Sequence, residues 1–364
     1  MCDEFFPPIG KGGSGGGSKK KKTVPVSLAA GMVLAHDITE VRPDFKGRAF
    51  RKGHIVKQED IAHLMRLGKE HLYVLALAPE EMHEDEAASV MAAAVMGKGV
   101  EAGECREGKI NVSASIDGLL KVDKEALMEF NMQGEIMCAT LHDGTVVRKG
   151  QTVAATRAIP LVVDRRAVEL AAGIAREKGG IVKVLPVRKP KTGVVITGEE
   201  VFSGRIKDAF APVIRGKIEA LGGEIIGIAY APDDENFIAA RLREFLNKGA
   251  DLLIATGGMS VDPDDVTRFA IRDLGARDIT YGAAVLPGSM FLSATIENAK
   301  GAVVPVLGVP TCAMYGKTTI LDLMLPRILA GEEIGRRQLA ELGHGGLCLH
   351  CSVCRWPVCP FGKF

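Results

Sequence analysis

The sequence is poor in aromatic residues, which make up 5% of the chain and include one Trp. So few rings argue against a surface on which nucleic-acid bases stack. The chain also has no charge imbalance, because 46 Lys and Arg residues balance 45 Asp and Glu residues. We therefore expect no global attraction to nucleic acid or to an anionic membrane. No apolar run approaches the roughly 18 residues that span a bilayer, and Met1 to Ile9 is too short for an apolar signal core. We therefore expect a cytoplasmic protein that binds neither nucleic acid nor membrane.

Hydrophobic residues are abundant, at 47% of 364 residues, which is enough for two or three domains. The stretch GKGGSGGGSKKKK cannot bury a core and predicts a flexible leader. Changes of composition and periodicity predict five segments: a disordered basic leader over 1–22, a small α/β domain over 23–80, a helix plus β-rich domain over 81–187, a mostly parallel α/β domain over 188–335, and a cysteine-rich tail over 336–364.

The second domain carries two local signals. Asp143-Gly144 lies between the apolar segments 136–141 and 145–147, which predicts a β-hairpin joining them. Arg166 to Lys178 has helical periodicity and is followed by Gly179-Gly180, a typical helix stop.

Strands and helices alternate through the third domain. The apolar runs 193–196, 224–229, 251–255 and 303–309 predict buried strands, whereas 206–221, 237–246 and 317–329 predict helices. Such alternation predicts a three-layer α/β fold, with a mostly parallel sheet between two layers of helices. Ligands of such sheets bind beyond the carboxyl ends of the strands.

Polar loops follow three of these predicted strands. They read TGEEVFSG–RIKD from Thr197, APDDE from Ala231 and TGGMSVDPDD from Thr256. Glycines allow close approach of the backbone to a ligand, and crowded acids suit a divalent cation that offsets the charge of a phosphate. Asp208, Asp233 and the acids after Gly258 can equally cap or complement helix N-termini, and both roles are compatible.

Two further loops, VLPGSM and LGVP, complete an ordered set of motifs that resembles the molybdopterin-binding domain of molybdopterin molybdotransferases. The early segment GMVLAHD, from Gly31 to Asp37, is similar to a segment of the same family. The resemblance implies molybdopterin or molybdenum cofactor as ligand, with Mg²⁺, molybdate, and a homo-oligomer. It implies these ligand-binding residues: Thr197, Gly198, Glu199, Ser203, Thr256, Gly257, Gly258, Ser260, Pro287, Gly288 and Pro310.

The acidic positions of that family fall on Asp208, Asp233 and Asp265, which the resemblance implies as catalytic. Other positions depart from the family. Ser289 and Met290 follow Pro287-Gly288, where molybdotransferases usually carry a Lys, and the last loop reads Pro310-Thr311-Cys312-Ala313 instead of Pro-Gly-Asn-Pro. The loss of these donors weakens the expectation of catalysis more than that of binding.

The tail carries Cys348, Cys351, Cys354 and Cys359 in the spacing C-x2-C-x2-C-x4-C-P. Four thiols so close together in a polar, Gly-rich context predict a metal site. The spacing resembles the bacterial ferredoxin run with one extra residue before the last cysteine, which favours an iron–sulfur cluster, and four-thiolate zinc is the alternative. Trp356 is expected to cover the site.

Three functions compete on the sequence alone. The first is an enzyme of molybdenum cofactor biosynthesis that inserts molybdate into adenylylated molybdopterin. The second is a non-catalytic carrier, sensor or maturation factor for a client molybdenum hydroxylase. The third, a regulator linked to nucleotides or DNA, depends only on the basic leader and is disfavoured by the neutral net charge.

Overall fold

The computed structural model describes residues 22–42, 45–75 and 77–363. The predicted leader over 1–22 lies outside these ranges except for Lys22, which begins the first strand. No helix in the described part of the chain is both long enough and apolar enough to cross a membrane. The domain boundaries inferred from the sequence stay a prediction, and the three regions are described in chain order below.

The N-terminal region is built around one antiparallel three-stranded sheet, in the order β1-β5-β2, and a separate hairpin of β3 and β4. Its core includes Leu34, Leu64 and Val74, each fully buried. A short 3₁₀ helix at Val26–Leu28 follows the first strand. The elements are β1 (Lys22–Pro25), β2 (Val33–Leu34), β3 (Ile38–Arg42), β4 (Phe45–Phe50), α1 (Asp60–Arg66) and β5 (His71–Leu75).

The middle region packs two helices, α2 and α4, against strands of small antiparallel sheets, and its core includes Met91, Phe130 and Ile181. Helix α4 ends just before the predicted stop, because Gly179 and Gly180 both take positive φ. The elements are β6 (Glu81–His83), α2 (Glu84–Val95), β7 (Val100–Arg106), β8 (Lys109–Ala114), β9 (Gly118–Val122), α3 (Lys124–Asn131), β10 (Ile136–Thr140), β11 (Val146–Val147), β12 (Thr152–Ala158), β13 (Val162–Asp164), α4 (Arg165–Glu177) and β14 (Val182–Leu185).

The predicted hairpin about Asp143-Gly144 is wrong. β10 pairs with β12, and β11 pairs with β9. The turn is held to β9 instead, because the Asp143 carboxylate accepts hydrogen bonds from the Val122 backbone N–H and from Lys121 Nζ, each 2.9 Å long. These bonds direct the chain across to the neighbouring sheet rather than back along β10.

The third region confirms the predicted mostly parallel sheet with helices on both faces. Its six strands lie in the order β16-β15-β17-β20-β19-β18, and the first four run parallel. One apolar core contains Ile214 of α6 and Met324 of α10, whereas the other contains Leu242 of α7 and Ile271 of α8. The strands are β15 (Lys191–Thr197), β16 (Glu224–Ala231), β17 (Leu252–Thr256), β18 (Arg277–Tyr281), β19 (Leu292–Glu297) and β20 (Val303–Val309). The helices are α5 (Glu199–Phe202), α6 (Phe210–Ala220), α7 (Glu235–Asn247), α8 (Thr267–Asp273), α9 (Cys312–Tyr315), α10 (Ile320–Leu329) and α11 (Arg336–Glu341).

Two helix starts differ from the prediction. Ile206 is 58% exposed and precedes α6, because the Asp208 carboxylate accepts hydrogen bonds from the backbone N–H groups of Phe210 and Ala211 and fixes the helix start there. The closing helix begins at Ile320 rather than at Lys317, because Thr319 caps it through a capping box.

A nearly buried ion-pair network links the middle region to the third. Glu332 contacts Arg327 Nε at 2.6 Å and Lys121 Nζ at 2.8 Å, and Lys121 also pairs with Asp143. Burial alone would raise the pKa of Glu332, but the hydrogen bonds from Lys121 and Arg327 outweigh it, and the pKa is lowered.

Replacing Glu332 by glutamine removes a carboxylate partner from Arg327, whose side chain is 8% exposed. We expect the free energy of unfolding at pH 7 to fall by about 3 kcal/mol, the lower end for breaking a buried pair. Chemical denaturation measures this loss. The matched control is Glu341→Gln, which breaks the exposed pair with Arg337 and is expected to lower the free energy of unfolding far less, because solvent screens an exposed pair.

The same comparison has a defined pH dependence. Because the pKa of Glu332 is lowered on folding, its stabilising effect is complete above the ordinary glutamate pKa of about 4.3 and is lost as pH falls through the folded pKa. The difference in stability between wild type and Glu332→Gln should therefore shrink below about pH 4. A difference that stays constant through the acid range contradicts the assignment.

Candidate functional site

The loops after four parallel strands share one edge of the sheet. Thr197 at the end of β15 is in register with Ala231 at the end of β16, and Thr256 at the end of β17 is in register with Val309 at the end of β20. Ile196 of β15 is in register with Thr256 of β17, so the ends of β15 and β16 lie at the same edge as the ends of β17 and β20. We call the loops that follow these strand ends (residues 198–208, 232–234, 257–266 and 310–311) the ligand edge.

Asp233 follows β16, the outermost strand on one side of the sheet, and is tied to the loop of the neighbouring strand. Its carboxylate accepts a hydrogen bond of 3.1 Å from the backbone N–H of Glu199 on the neighbouring loop. Burial raises the pKa of Asp233, and the negative charges of Glu200, Asp264 and Asp265 raise it further. The acids of three separate loops therefore lie near enough for their charges to act on Asp233, an arrangement that suits a cation.

Gly257 and Gly258 bring the backbone against Thr197. Their φ angles are +94° and +56°, in the region that favours glycine. A Cβ atom on Gly257 would lie 2.7 Å from Thr197 Oγ1, and one on Gly258 would lie 2.7 Å from Thr267 Oγ1. The two glycines thus fix a loop that no larger residue can reproduce in place.

Thr197 and Thr267 form a buried hydroxyl pair beneath that loop. Their oxygens are 3.0 Å apart, and the Thr197 hydroxyl also lies 3.4 Å from the carbonyl oxygen of Thr256. The backbone N–H of Thr267 donates to the carbonyl oxygen of Gly258. The pair ties β15, the glycine loop and the start of α8 together.

Thr197→Val is therefore expected to lower the free energy of unfolding by about 1–3 kcal/mol, because it leaves the buried Thr267 hydroxyl without its acceptor. The matched control lies on the same strand. Thr192 is fully buried, and its hydroxyl has no hydrogen-bond partner within the described ranges, so Thr192→Val should be neutral or stabilising. Denaturation midpoints of the two variants measure the difference, and equal losses would contradict the proposed hydroxyl pair.

Two of the sequence-predicted residues have structural partners of their own. Besides the amides of α6, the Asp208 carboxylate accepts a hydrogen bond of 3.1 Å from the Tyr230 hydroxyl, so it joins the helix start to the end of β16. The Ser203 hydroxyl donates to the carbonyl oxygen of Glu199 at 2.6 Å. Asp208 thus has the capping role that the sequence left open, and its catalytic role stays a prediction.

Pro287 and Gly288 precede β19, whose first residue Leu292 is in register with Gly308 near the end of β20, so their turn lies next to the ligand edge. The carbonyl oxygen of Pro287 accepts from Ile320 N at the start of α10, and a Cβ on Gly288 would collide with Ile320. Pro310 follows Val309 and is buried at the ligand edge, whereas Ser260 is partly exposed in the glycine loop. The strand ends and loops of the ligand edge therefore include every predicted ligand-binding or catalytic residue except Pro287 and Gly288, whose loop lies next to them against the start of α10.

Sequence reasoning missed Thr267 and Glu200. Thr267 begins α8 directly after the acidic loop, and a hydroxyl at a helix start could have drawn attention to it. Glu200 follows Glu199, and its negative charge contributes to the raised pKa of Asp233. Neither position has a spacing that distinguishes it from an ordinary helix-start residue.

Within the described ranges, no three or more His, Cys, Asp or Glu residues converge closely enough to hold a metal ion by themselves. Four cavities of the described chain lie away from the ligand edge, which is an open rim of loops. One of them, of about 230 Å³, is lined by all four tail cysteines and by Trp356.

Comparison with known families confirms the resemblance over the third region. Residues 193–330 match the family described as "Probable molybdopterin binding domain". Residues 23–76 match "Domain of unknown function (DUF8806)". The third region is thus a molybdopterin-binding domain, and its ligand edge is where strand-end loops of an α/β sheet bind ligands.

Two curated relatives are similar over that domain. A CinA-like protein of Mycobacterium avium is 33% identical over 137 residues, which are 32% of this chain and 31% of the relative. A molybdopterin molybdenumtransferase of Synechococcus elongatus is 30% identical over 152 residues, which are 40% of this chain and 36% of the relative. The chain spans about a third of the length of these relatives.

Solved structures are also similar over about this share of the chain. The tungsten cofactor synthesizing protein MoaB from Pyrococcus furiosus is 18% identical and covers 39% of this chain and 96% of its own, with a TM-score of 0.31. The molybdopterin biosynthesis enzyme MoaB from Thermus thermophilus is 21% identical. The match covers 39% of this chain and 98% of that protein, with a TM-score of 0.32.

Proposed function

We propose that this chain binds molybdopterin at the ligand edge and acts in molybdenum cofactor biosynthesis, inserting molybdate into adenylylated molybdopterin. The observation that carries the proposal is the meeting of Asp233, held by the Glu199 amide, with the acids of the Gly257–Gly258 loop. Glycine backbone approaches a phosphate closely, and nearby acids suit the cation that accompanies it.

The acids fit a Mg²⁺ ion that is held jointly with the ligand. Mg²⁺ keeps several waters and takes one or two protein carboxylates plus substrate phosphates, rather than a cage made of protein alone. Asp233 with Asp264 or Asp265 could supply such a partial set. Bound there, the ion would offset phosphate charge as a Lewis acid.

The chain's own residues then have separate tasks. Gly257 and Gly258 set the path of the loop that faces the phosphate, and the Thr197–Thr267 pair fixes that loop to the sheet. Asp233 and Asp265 orient the cation or a water molecule. The similarity to a molybdopterin molybdenumtransferase over part of its length supports this reaction class.

The reaction is tested by incubating the full chain anaerobically with adenylylated molybdopterin, Mg²⁺ and molybdate. We expect release of AMP together with formation of molybdenum cofactor, detected by activation of a cofactor-free molybdenum enzyme. The same mixture without molybdate is the control. Retention of the pterin with no AMP release, in conditions where an active transferase turns over, would contradict catalysis while leaving binding intact.

A second candidate, a non-catalytic carrier for a client molybdenum enzyme, is favoured by one observation. The Pro287 loop lacks the family's Lys and packs against the start of α10 and the tail. A carrier should hold molybdopterin without turnover and pass it to a client enzyme. The assay above separates the two candidates, because only the transferase releases AMP.

A further inference from the structure

The four tail cysteines share one cavity on the surface of the molybdopterin-binding domain. Cys348, Cys351, Cys354 and Cys359 all line the space of about 230 Å³, together with residues of the segment Tyr315–Thr318. None of these four sulfurs is in a disulfide bond, and Cys351 and Cys354 are exposed. We propose that this cavity is the binding site of an iron–sulfur cluster held by the four thiolates.

The tail that carries the cysteines is anchored at both ends. Leu286 exchanges two backbone hydrogen bonds with it, donating to Gly346 at 2.8 Å and accepting from Cys348 at 2.9 Å. At the other end Phe361 is 3% exposed and belongs to the core of the domain. A segment fixed at both ends presents its cysteines in a defined arrangement, as a preformed site requires.

The wall opposite the tail contributes polar and cationic groups. The Thr318 hydroxyl, on a residue that is 7% exposed, lies 3.4 Å from Cys354 Sγ. Lys317 and Arg355 also line the cavity. Cationic neighbours favour thiolates over thiols, and hydrogen bonds to cysteine sulfur stabilise iron–sulfur clusters.

The arrangement favours a cluster over a single zinc ion. A structural zinc ion needs four sulfurs that converge at about 2.3 Å from one point. Cys348, Cys351 and Cys354 instead follow one another at C-x2-C-x2-C on one short segment, as in the bacterial ferredoxin run, and all four cysteines line one space. Its volume of about 230 Å³ is well above the roughly 10–15 Å³ that one water molecule needs, and Trp356 and Phe361 are among the residues that line it.

Loading the site requires no oxidant or reductant. Four thiols each release one proton as their sulfurs bind iron, and a [4Fe–4S] core assembles from equal amounts of ferrous and ferric iron with sulfide. This site does not depend on molybdopterin binding at the ligand edge, so its test leaves the proposed function untouched.

The test reconstitutes the full chain anaerobically with ferrous iron, ferric iron and sulfide, then removes unbound metal. We expect about four iron and four sulfide per chain, a broad visible absorption that dithionite bleaches, and an electron paramagnetic resonance signal in the reduced state. Stoichiometric zinc in the anaerobically purified chain, with no uptake of iron and sulfide on reconstitution, overturns the cluster.

Matched variants locate the site. Cys351→Ser and Cys354→Ser should lower bound iron to less than about one per chain, because each removes a ligand of a four-thiolate cluster. Cys105→Ser is the control, since Cys105 is an exposed thiol outside the tail, where burial raises its pKa to about 11. Equal iron loss in all three variants overturns the assignment.

A second measurement avoids any folding defect of the variants. Alkylation of the wild-type chain, read by mass spectrometry, should modify Cys351 and Cys354 in the metal-free protein and spare them after reconstitution. Cys105 should react equally slowly in both states. Unchanged alkylation of the two tail cysteines after iron loading overturns the proposal.

Discussion

Replacing Gly257 by alanine is expected to weaken molybdopterin binding tenfold or more, which corresponds to at least about 1.4 kcal/mol. The glycine has φ +94°, and an added Cβ meets the carbonyl and hydroxyl of Thr197, so the loop must move away from the sheet. The backbone that we propose as the phosphate contact moves with it. Anaerobic calorimetry with molybdopterin measures the loss.

Gly275 supplies a closely matched control. Its φ is +93°, so alanine there suffers the same backbone strain, but a Cβ would have nothing within 4 Å. Gly275→Ala should lower the free energy of unfolding by about 1 kcal/mol and leave the affinity for molybdopterin unchanged. Equal loss of affinity in both variants would mean that general destabilisation, and not the loop at Gly257, is responsible.

Asp233→Asn is expected to remove most of the Mg²⁺ dependence of molybdopterin binding, a change of about tenfold in affinity at saturating Mg²⁺. The substitution removes the carboxylate that faces Asp264 and Asp265. Without Mg²⁺ the variant should bind as well as wild type or better, because one charge that repels the phosphate is gone. Titrations with and without Mg²⁺ measure both effects.

Asp234→Asn is the control for charge. Asp234 lies next to Asp233 but caps α7 by accepting a hydrogen bond from Phe237 N at 2.7 Å. Asparagine caps helices equally well, so this variant loses the same charge without losing a proposed metal ligand and should keep its response to Mg²⁺. An identical response of the two variants would remove Asp233 from the metal site.

The Mg²⁺ dependence should also respond to pH. The pKa of Asp233 is raised by burial and by the neighbouring acids, so the carboxyl group takes up a proton at a pH above the ordinary aspartate pKa of about 3.9. As pH falls, the effect of Mg²⁺ on binding should therefore fade earlier than for an ordinary aspartate. A Mg²⁺ effect that persists unchanged down to pH 4 contradicts the role of Asp233.

The sequence was sufficient to predict the four parallel strands and the three longest helices of the third region, because buried parallel strands are short apolar runs and helices have their own period. It did not reveal β18 and β19, which extend the sheet in the antiparallel direction. Three of the five residues of β18 are exposed, so it has no alternating apolar pattern. The hairpin predicted around Asp143 was wrong for another reason. Its turn is held by a strand 21 residues earlier, and local spacing does not encode that contact.

The candidate site was predictable in part. Parallel strands have to place Thr197, Asp233 and Gly258 at one edge, and the structure does so. Sequence reasoning placed Pro287 and Gly288 there as well, and their loop, just before β19, packs against Ile320 next to that edge. Their role as ligand-binding residues stays a prediction.

The most direct test is a crystal structure of the full chain grown anaerobically with molybdopterin and Mg²⁺. Our account predicts the pterin phosphate against the backbone of Gly257 and Gly258, with the ion between that phosphate and Asp233. Molybdopterin bound at any other surface, with the Gly257–Gly258 loop and Asp233 free of ligand, would contradict it.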